Sequence, residues 1–186
     1  MKIKEILLNI FFPKFCLGCG KEGSYLCSDC KACLDLSEHL FCLCQKPKII
    51  EKDGKCNKCQ SHPLNGLYFP LSYQKSLSRK IINSFRKEPY IKELSSPLSD
   101  LIIDHFLLLE KEENFFKNKI IIPLPVTSKE EKKIGYNPNK EIAKKLSYSL
   151  NLPFVNLLEK DNKNNYYLTR NKEKIKNKKV LIVTVL

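Results

Sequence analysis

Apolar residues recur at helical spacing in four stretches of the chain. In each stretch they fall three or four positions apart, which places them on one face of a helix. The predicted helices cover residues 3–11, 76–85 (ending before Pro89) and 90–109, and a fourth begins at Pro138. Proline suits the first position of a helix because its missing N–H is not needed there.

Two continuous apolar runs predict buried strands, at residues 119–125 and 179–186. Such runs are typical of parallel sheets, whose strands are covered on both faces. Weaker strand patterns occupy 66–73 and 152–155, and the Lys- and Glu-rich residues 126–136 predict a loop. The alternation of strands and helices predicts an α/β fold with a parallel sheet, in which ligands bind beyond the carboxyl ends of the strands.

All nine cysteines lie within residues 16–59. Two thiolates from one tight turn can face a single tetrahedral ion, so four pairs supply two closed four-sulfur zinc sites. Closed sites have no position for water, which predicts about two structural zinc ions. A disulfide framework is disfavoured, because neighbouring cysteines make poor disulfide partners and nothing else resembles a secreted protein. The eight predicted metal ligands are Cys16, Cys19, Cys27, Cys30, Cys42, Cys44, Cys56 and Cys59.

The sequence leaves open which sulfurs share an ion. Grouping in chain order and crossed grouping are both compatible with the spacing. The ninth cysteine, Cys33, is a spare thiol or an alternative ligand that pairs with Cys30. The pair Cys42 and Cys44 has one residue fewer between its members than the usual turn, which makes the second site the weaker prediction.

The three histidines are weaker ligand candidates. His39 and His62 flank cysteine pairs and could replace a sulfur, but nine cysteines are already present. His105 lies on the apolar face of the third predicted helix, which favours a buried core histidine. Within that helix, Pro97 is a candidate interruption.

The chain divides into two predicted domains. Residues 1–65 carry the cysteines and few large apolar side chains, so this part depends on metal to fold. Residues 66–186 carry the strands and helices. No run of 18 apolar residues is present, so no membrane span is expected. Glu5 and Asn9 interrupt the first apolar run and no cleavage site follows it, which argues against a signal peptide and favours a reducing cytoplasm.

The net charge is +13, and eight thiolates with two zinc ions would bring it to roughly +9. A basic protein attracts phosphate polymers without sequence preference. The Lys- and Asn-rich residues 156–179 contain Tyr166 and Tyr167, although the same composition can arise from a biased coding sequence. Nucleic-acid binding is therefore kept as an alternative function.

Several short motifs lie at set places along the chain. Phe-Pro precedes the first cysteine pair, a tyrosine ends the 66–73 strand, a basic pair follows the 76–85 helix, and Pro-x-Pro ends the 119–125 strand. The residues of these and three further motifs are Phe12-Pro13, Tyr73, Phe85-Arg86-Lys87, Pro123-Leu124-Pro125, Ile134 to Pro138, Glu141 to Lys145 and Leu168-Thr169-Arg170. Together they resemble the ComF family, which has an arginine near the position of Lys133.

The resemblance implies a double zinc ribbon followed by a type I phosphoribosyltransferase-like domain. In that family, two adjacent acidic residues and a Thr-Thr-Gly loop after the last strand hold the ribose and phosphate of phosphoribosyl pyrophosphate. This chain has Thr184, Val185 and Leu186 there, so no residue is assigned a catalytic or donor-binding role. The chain is expected to be truncated relative to the family and inactive alone.

Three functional interpretations follow from the resemblance. The first is an inactive ComF-like protein. The second is a zinc-dependent binding module whose partners are DNA or the DNA-handling proteins of competence and DNA uptake. The third is a transferase whose donor, with Mg²⁺, binds only where another chain supplies the missing site.

Overall fold

The computed structural model describes residues 11–42, 44, 48–50, 56, 59, 65–111, 113–161, 163, 165–168, 175–176 and 178–185. The helix predicted over residues 3–11 lies outside the described residues except for its last position, and His62 also lies outside them.

The helices with defined bounds are concentrated after residue 75. They are α1 Ser28–Ala32, α2 Ser76–Arg86, a 3₁₀ turn Lys92–Leu94, α3 Ser95–Leu108, α4 Glu113–Phe116, α5 Ser128–Ile134 and α6 Pro138–Ser149.

The predictions for α2 and α6 are confirmed. In α2, Ile81 and Phe85 are completely buried, as their spacing on one helical face predicts. In α6, Pro138 occupies the first turn and the Asn137 side chain accepts a hydrogen bond from the Lys140 N–H at 3.1 Å. This side-chain cap satisfies a backbone donor that the helix itself leaves unpaired.

The third predicted helix is divided in the structure. Tyr90 has a left-handed backbone (φ 57°), the 3₁₀ turn follows, and α3 begins at Ser95. Pro97 lies in the first turn of α3, where a missing N–H costs no hydrogen bond, so it does not interrupt the helix. His105 is fully buried with Nδ1 2.7 Å from the Ser37 carbonyl oxygen, and burial lowers the pKa of its imidazole. The prediction of a core histidine is confirmed.

The strands form three two-stranded sheets among the described residues. β3 (Lys119–Pro123) and β6 (Lys179–Val183) are parallel, in a register that runs from Lys119 opposite Lys179 to Pro123 opposite Val183. The prediction that the two apolar runs contain strands of a parallel sheet is therefore confirmed, although each strand is shorter than its run. The strands are β1 Leu40–Phe41 with β2 Ile49–Ile50, β3 Lys119–Pro123 with β6 Lys179–Val183, and β4 Leu158–Lys160 with β5 Tyr166–Leu168.

The two weaker strand predictions are wrong, because neither segment forms a continuous strand. Residues 66–73 make isolated bridges at Leu67 and Leu71 instead of a continuous strand, and 152–155 makes a single parallel bridge from Phe154 to Ile121. Pro70 and Pro153 each lack the N–H that a ladder needs, which explains why pairing stops near them.

The loop predicted over residues 126–136 contains helix α5. Thr127 caps its first turn by accepting from the Glu130 N–H, and the Glu130 carboxylate accepts from the Thr127 N–H in return. This reciprocal capping box lets a short charged helix form without a buried face. Gly135 ends the helix in a left-handed conformation (φ 85°).

The prediction that the last strand is buried on both faces is also wrong. Leu181 and Val183 pack against the main core, but Val180 and Ile182, on the opposite face, are 39% and 47% exposed. Across that face, β3 is covered where β6 is not: Ile120 and Ile122 are buried with Leu157. The sheet is therefore covered more completely on the side that faces the main core than on the opposite side.

One apolar cluster joins the cysteine-rich part to the helices that follow. Leu26, which lies between two cysteines, belongs to the same cluster as Ile81, Phe85 and Leu94. Helix α6 contributes Ile142, Ala143 and Leu146, and Ile121 contributes from the sheet. The boundary predicted at residue 65 stays a prediction, but these two parts of the chain share a core.

Among the described residues, no helix combines the length and the apolar character that crossing a membrane requires.

Candidate metal centres

Eight of the nine cysteines gather into two tetracysteine groups. Within each group all four sulfur atoms lie within 4.8 Å of one another. The sulfurs group in chain order, so the crossed grouping is excluded. The first group is Cys16, Cys19, Cys27 and Cys30, and the second group is Cys42, Cys44, Cys56 and Cys59.

The first group is built from a tight turn and the start of helix α1. The turn is closed by the Gly20 N–H, which donates to the Cys16 carbonyl at 2.9 Å, and Gly20 adopts the left-handed backbone (φ 77°) that the turn requires. Cys27 is the N-cap of α1, and its Sγ accepts from the Cys30 N–H at 3.4 Å. Sulfur ligands thus come from two backbone turns whose N–H groups point at the thiols.

Gly18 lets the first group close. A Cβ at this position would lie 2.6 Å from the Cys30 sulfur, which is well inside van der Waals contact. Next to it, the Lys80 ammonium of α2 donates to the Leu17 carbonyl at 2.7 Å. The sequence predicted no role for Gly18 or Lys80. A glycine between paired cysteines is nevertheless consistent with close approach of the backbone to a metal site.

Among the residues that the structure describes, the second group lies beside strand β1 and a short turn at Cys59. Cys42 follows β1 and its N–H donates to the Lys48 carbonyl at 3.0 Å, and the Cys59 N–H donates to the Cys56 carbonyl at 2.8 Å. The sulfur of Cys44 lies 3.0 Å, 3.1 Å and 2.9 Å from the other three sulfurs. The narrow spacing of Cys42 and Cys44 in the sequence is therefore compatible with a four-sulfur group.

All nine cysteines are free thiols in the structure. Cys33 is exposed at the end of α1 and belongs to neither group, so its proposed pairing with Cys30 as an alternative ligand is not supported. His39 also belongs to neither group, and its ring lies 6.5 Å from that of Phe41.

The thiols of each group influence one another's ionisation. Burial opposes ionisation of Cys16, but hydrogen bonds from backbone groups of Cys27, Cys19 and Gly18 outweigh it and lower the pKa of Cys16 to about 6. The neighbouring Cys27 sulfur is the main cause that raises the pKa of Cys30 to about 12. Cys16 therefore loses its proton more easily than Cys30, whose thiol proton is held mainly by its hydrogen bond with the Cys27 sulfur.

The donor set fits zinc. A tetrahedral Zn–S distance of about 2.3 Å places neighbouring sulfurs about 3.8 Å apart. In the first group, the Cys27 sulfur lies 3.6 Å from that of Cys16 and 3.7 Å from that of Cys19. In the second group, the sulfurs around Cys44 would have to spread by roughly 0.8 Å to hold the same ion. Each group offers four sulfurs, which leaves no ligand position for substrate or water.

Asn139 ties together the carboxyl ends of the two parallel strands. Its side-chain amide donates to the Leu124 carbonyl after β3, and its oxygen accepts from the Val185 N–H after β6, both at 2.7 Å. The residue is 5% exposed. At this edge, where an α/β sheet would bind a ligand, Thr184 and Val185 bring no carboxylate.

The antiparallel ribbon β4–β5 presents aromatic side chains to solvent. Tyr166, Tyr167 and Leu168 are 46%, 51% and 46% exposed. The turn is held by Asp161, whose carboxylate accepts from the Tyr167 hydroxyl at 2.8 Å and from backbone N–H groups, and these bonds lower its pKa. The Lys160 ammonium lies 5.8 Å from the centre of the Tyr166 ring.

No protein-family model, curated protein or solved structure matches the chain.

Proposed function

We propose that the chain is a zinc protein in which each tetracysteine group holds one structural zinc ion. The observation that carries this proposal is the convergence of eight sulfurs into two groups in chain order. Uncompensated thiolates at these distances repel, and a divalent cation removes that repulsion. The free thiols are also consistent with a reducing compartment such as the cytoplasm.

Metal analysis of the purified chain tests this proposal. We expect two zinc ions per chain in the wild type and one in Cys44→Ser, which removes a ligand from the second group only. Cys33→Ser is the matched control, because Cys33 belongs to neither group, and it should retain two. A wild-type chain with no zinc would contradict the proposal.

We further propose that the zinc-binding part is joined to a domain with a ComF-like, phosphoribosyltransferase-like fold. The parallel pairing of β3 and β6 with α6 on one face supports this, together with the motifs that resemble the family. A role in competence and DNA uptake follows from the resemblance alone. Thr184 and Val185 carry no carboxylate, and the Val185 N–H already donates to Asn139, so these residues should not hold phosphoribosyl pyrophosphate by themselves. Release of pyrophosphate from that donor, in the presence of Mg²⁺, would contradict the statement that these residues do not hold it.

A second candidate function, binding of single-stranded nucleic acid, is favoured by the β4–β5 ribbon. Exposed tyrosines on an antiparallel ribbon offer faces on which bases stack. The sequence that follows, residues 169–179, has six basic residues and one acidic residue, which would attract the phosphate backbone. Tyr166 supports this candidate function most strongly, because its ring is exposed and lies beside the Lys160 ammonium.

Replacing Tyr166 with alanine should weaken binding of a fluorescent oligothymidine about tenfold. Stacking on one aromatic side chain contributes about 1–3 kcal/mol per base. Fluorescence anisotropy at several salt concentrations measures the affinity. Tyr148→Ala is the matched control, because that tyrosine is 91% exposed on α6, and Tyr166→Phe should bind normally. Equal affinities of Tyr166→Ala and wild type would count against the candidate.

A further inference from the structure

Helix α2 and the turn before it expose a cationic surface. Residues 72–87 contain five basic side chains and no acidic one. Two of the chain's three arginines, Arg79 and Arg86, are among them, and both are exposed, as is Lys87 at the end of the helix. Their spacing places these three cations along one side of the helix. The opposite side of α2 is buried in the core, so the cations are the part that a partner can reach.

The charges on this side of α2 are available to a partner. Among the described residues, Arg79, Arg86 and Lys87 make no ion pair. Lys75, one turn before Arg79, is instead neutralised by Asp35, with its Nζ 3.3 Å from the carboxylate. Three unpaired cations on one side of a helix attract an anionic partner.

An exposed aromatic ring is held on the same side of the helix. The Tyr73 hydroxyl donates to the Asn83 side-chain oxygen at 2.9 Å, and Tyr73 is 47% exposed. Asn83 lies one turn after Arg79 and one turn before Arg86, so this hydrogen bond places the hydroxyl end of the ring between the two arginines. A ring that is tethered in this way loses less freedom when a partner binds than a free one does.

The spacing of these groups suits a strand of nucleic acid with unpaired bases. At a rise of about 1.5 Å per residue, Arg79 and Arg86 lie about 10 Å apart along the helix axis. A stacked strand carries one phosphate per about 3.4 Å, so this distance spans about three nucleotides. Each guanidinium can hold a phosphate through two parallel hydrogen bonds, and an aromatic ring between phosphate contacts offers its face to a base.

Other anionic partners would use fewer of these groups. The carboxylates of an acidic peptide can pair with the arginines but leave the exposed face of Tyr73 without a partner. A duplex keeps its bases paired and stacked, so their faces are closed to a tyrosine that approaches from outside. Only a strand with unpaired bases engages both the cations and the ring.

We propose that a second nucleic-acid contact lies on α2, where single-stranded nucleic acid binds through its phosphates and one stacked base. The α2 surface that makes this contact consists of Tyr73, Arg79, Arg86 and Lys87. No residue of the β4–β5 ribbon takes part. The site therefore goes beyond the candidate function assigned to Tyr166, although both rest on binding of the same class of ligand.

Replacing Tyr73 with alanine should weaken binding of a fluorescent oligothymidine to the full chain about tenfold. Tyr73→Phe keeps the ring and should retain most of the affinity, which separates stacking from the hydrogen bond to Asn83. Fluorescence anisotropy measures the affinities, and thermal melting followed by circular dichroism verifies that each variant is folded. Tyr148→Ala is the matched control, because that tyrosine is exposed on α6. Equal affinities of Tyr73→Ala and wild type would overturn the proposal.

Arg79→Gln and Arg86→Gln test the phosphate contacts at exposed positions, where a substitution leaves the fold intact. Each lost phosphate contact should reduce the slope of log Kobs against log salt concentration by about 0.7. Lys144→Gln removes one exposed charge from α6 and should leave the slope unchanged. A wild-type slope in both arginine variants would overturn the proposal.

Ultraviolet cross-linking of the wild-type chain to oligothymidine locates the contact without a substitution. Mass spectrometry should find thymidine attached to Tyr73. Cross-links confined to residues 158–168 would overturn this inference and leave the β4–β5 ribbon as the only candidate. Absence of any binding by the wild-type chain would overturn both.

Competition at equal concentrations of negative charge tests the choice of partner. Neither poly-L-glutamate nor a DNA duplex should displace the oligothymidine as well as an unlabelled oligothymidine does. Displacement by either one to the same extent would overturn the proposal in favour of an acidic or a double-stranded partner.

Discussion

Replacing Cys16 with serine should unfold the amino-terminal part of the chain, with a loss of at least about 3 kcal/mol in the free energy of unfolding. Binding of a structural zinc ion contributes about 10–16 kcal/mol of apparent free energy in small zinc domains. A serine hydroxyl is a poor zinc ligand, and the site at position 16 is 4% exposed, so water cannot easily compensate. Residues 1–65 should become sensitive to protease while the β3–β6 sheet keeps some structure.

Urea unfolding and limited proteolysis measure this effect. Cys33→Ser is the matched control, because it makes the same chemical change at an exposed thiol outside both groups, and it should shift stability by less than about 0.5 kcal/mol. The apolar contacts of Leu26 with the α2 core make some loss of stability beyond residue 65 an expected part of the result. Equal stability of Cys16→Ser and Cys33→Ser would contradict a structural metal at the first group.

Replacing Asn139 with alanine should lower the free energy of unfolding by roughly 2–4 kcal/mol. The substitution removes a buried side chain and leaves the partly buried Leu124 carbonyl and Val185 N–H without their partner. An unsatisfied buried polar group costs about 1–3 kcal/mol. The carboxyl ends of β3 and β6 should separate as a result.

Hydrogen exchange at the Val185 amide, together with urea unfolding, measures the effect of Asn139→Ala. Lys144→Ala, at an exposed position of the same helix, should leave both unchanged. Asn139→Asp keeps the acceptor for the Val185 N–H but loses the donor for Leu124, so it should be destabilised as well. A wild-type exchange rate of the Val185 amide in Asn139→Ala would contradict a stabilising role for the two hydrogen bonds of the Asn139 side chain.

Strong periodic patterns predicted the parts of the fold that burial controls. The apolar faces of α2 and α6 and the isoleucine-rich strand β3 are explained by side chains that must leave water. The tetracysteine groups were predictable for a different reason. Paired cysteines restrict the geometry so strongly that spacing alone selected the eight cysteines that converge, and only their grouping required coordinates.

The failures arose where local hydrogen bonds or neighbouring elements decide the outcome. Helix α5 has no buried face, and it forms because Thr127 and Glu130 cap each other, a contact that hydrophobic periodicity does not register. The exposure of Val180 and Ile182 depends on what covers the sheet, which the sequence of β6 does not contain. Asn139 was not predicted, because its two partners lie 15 and 46 positions away.

Zinc K-edge X-ray absorption of the purified full chain reports directly on the ligands of the two proposed zinc ions. We expect a first coordination shell of four sulfurs per zinc at about 2.3 Å, with no nitrogen or oxygen ligand. The same sample should hold two zinc ions per chain. A shell that contains nitrogen or oxygen, or fewer than four sulfurs per zinc, would contradict two closed tetracysteine zinc sites.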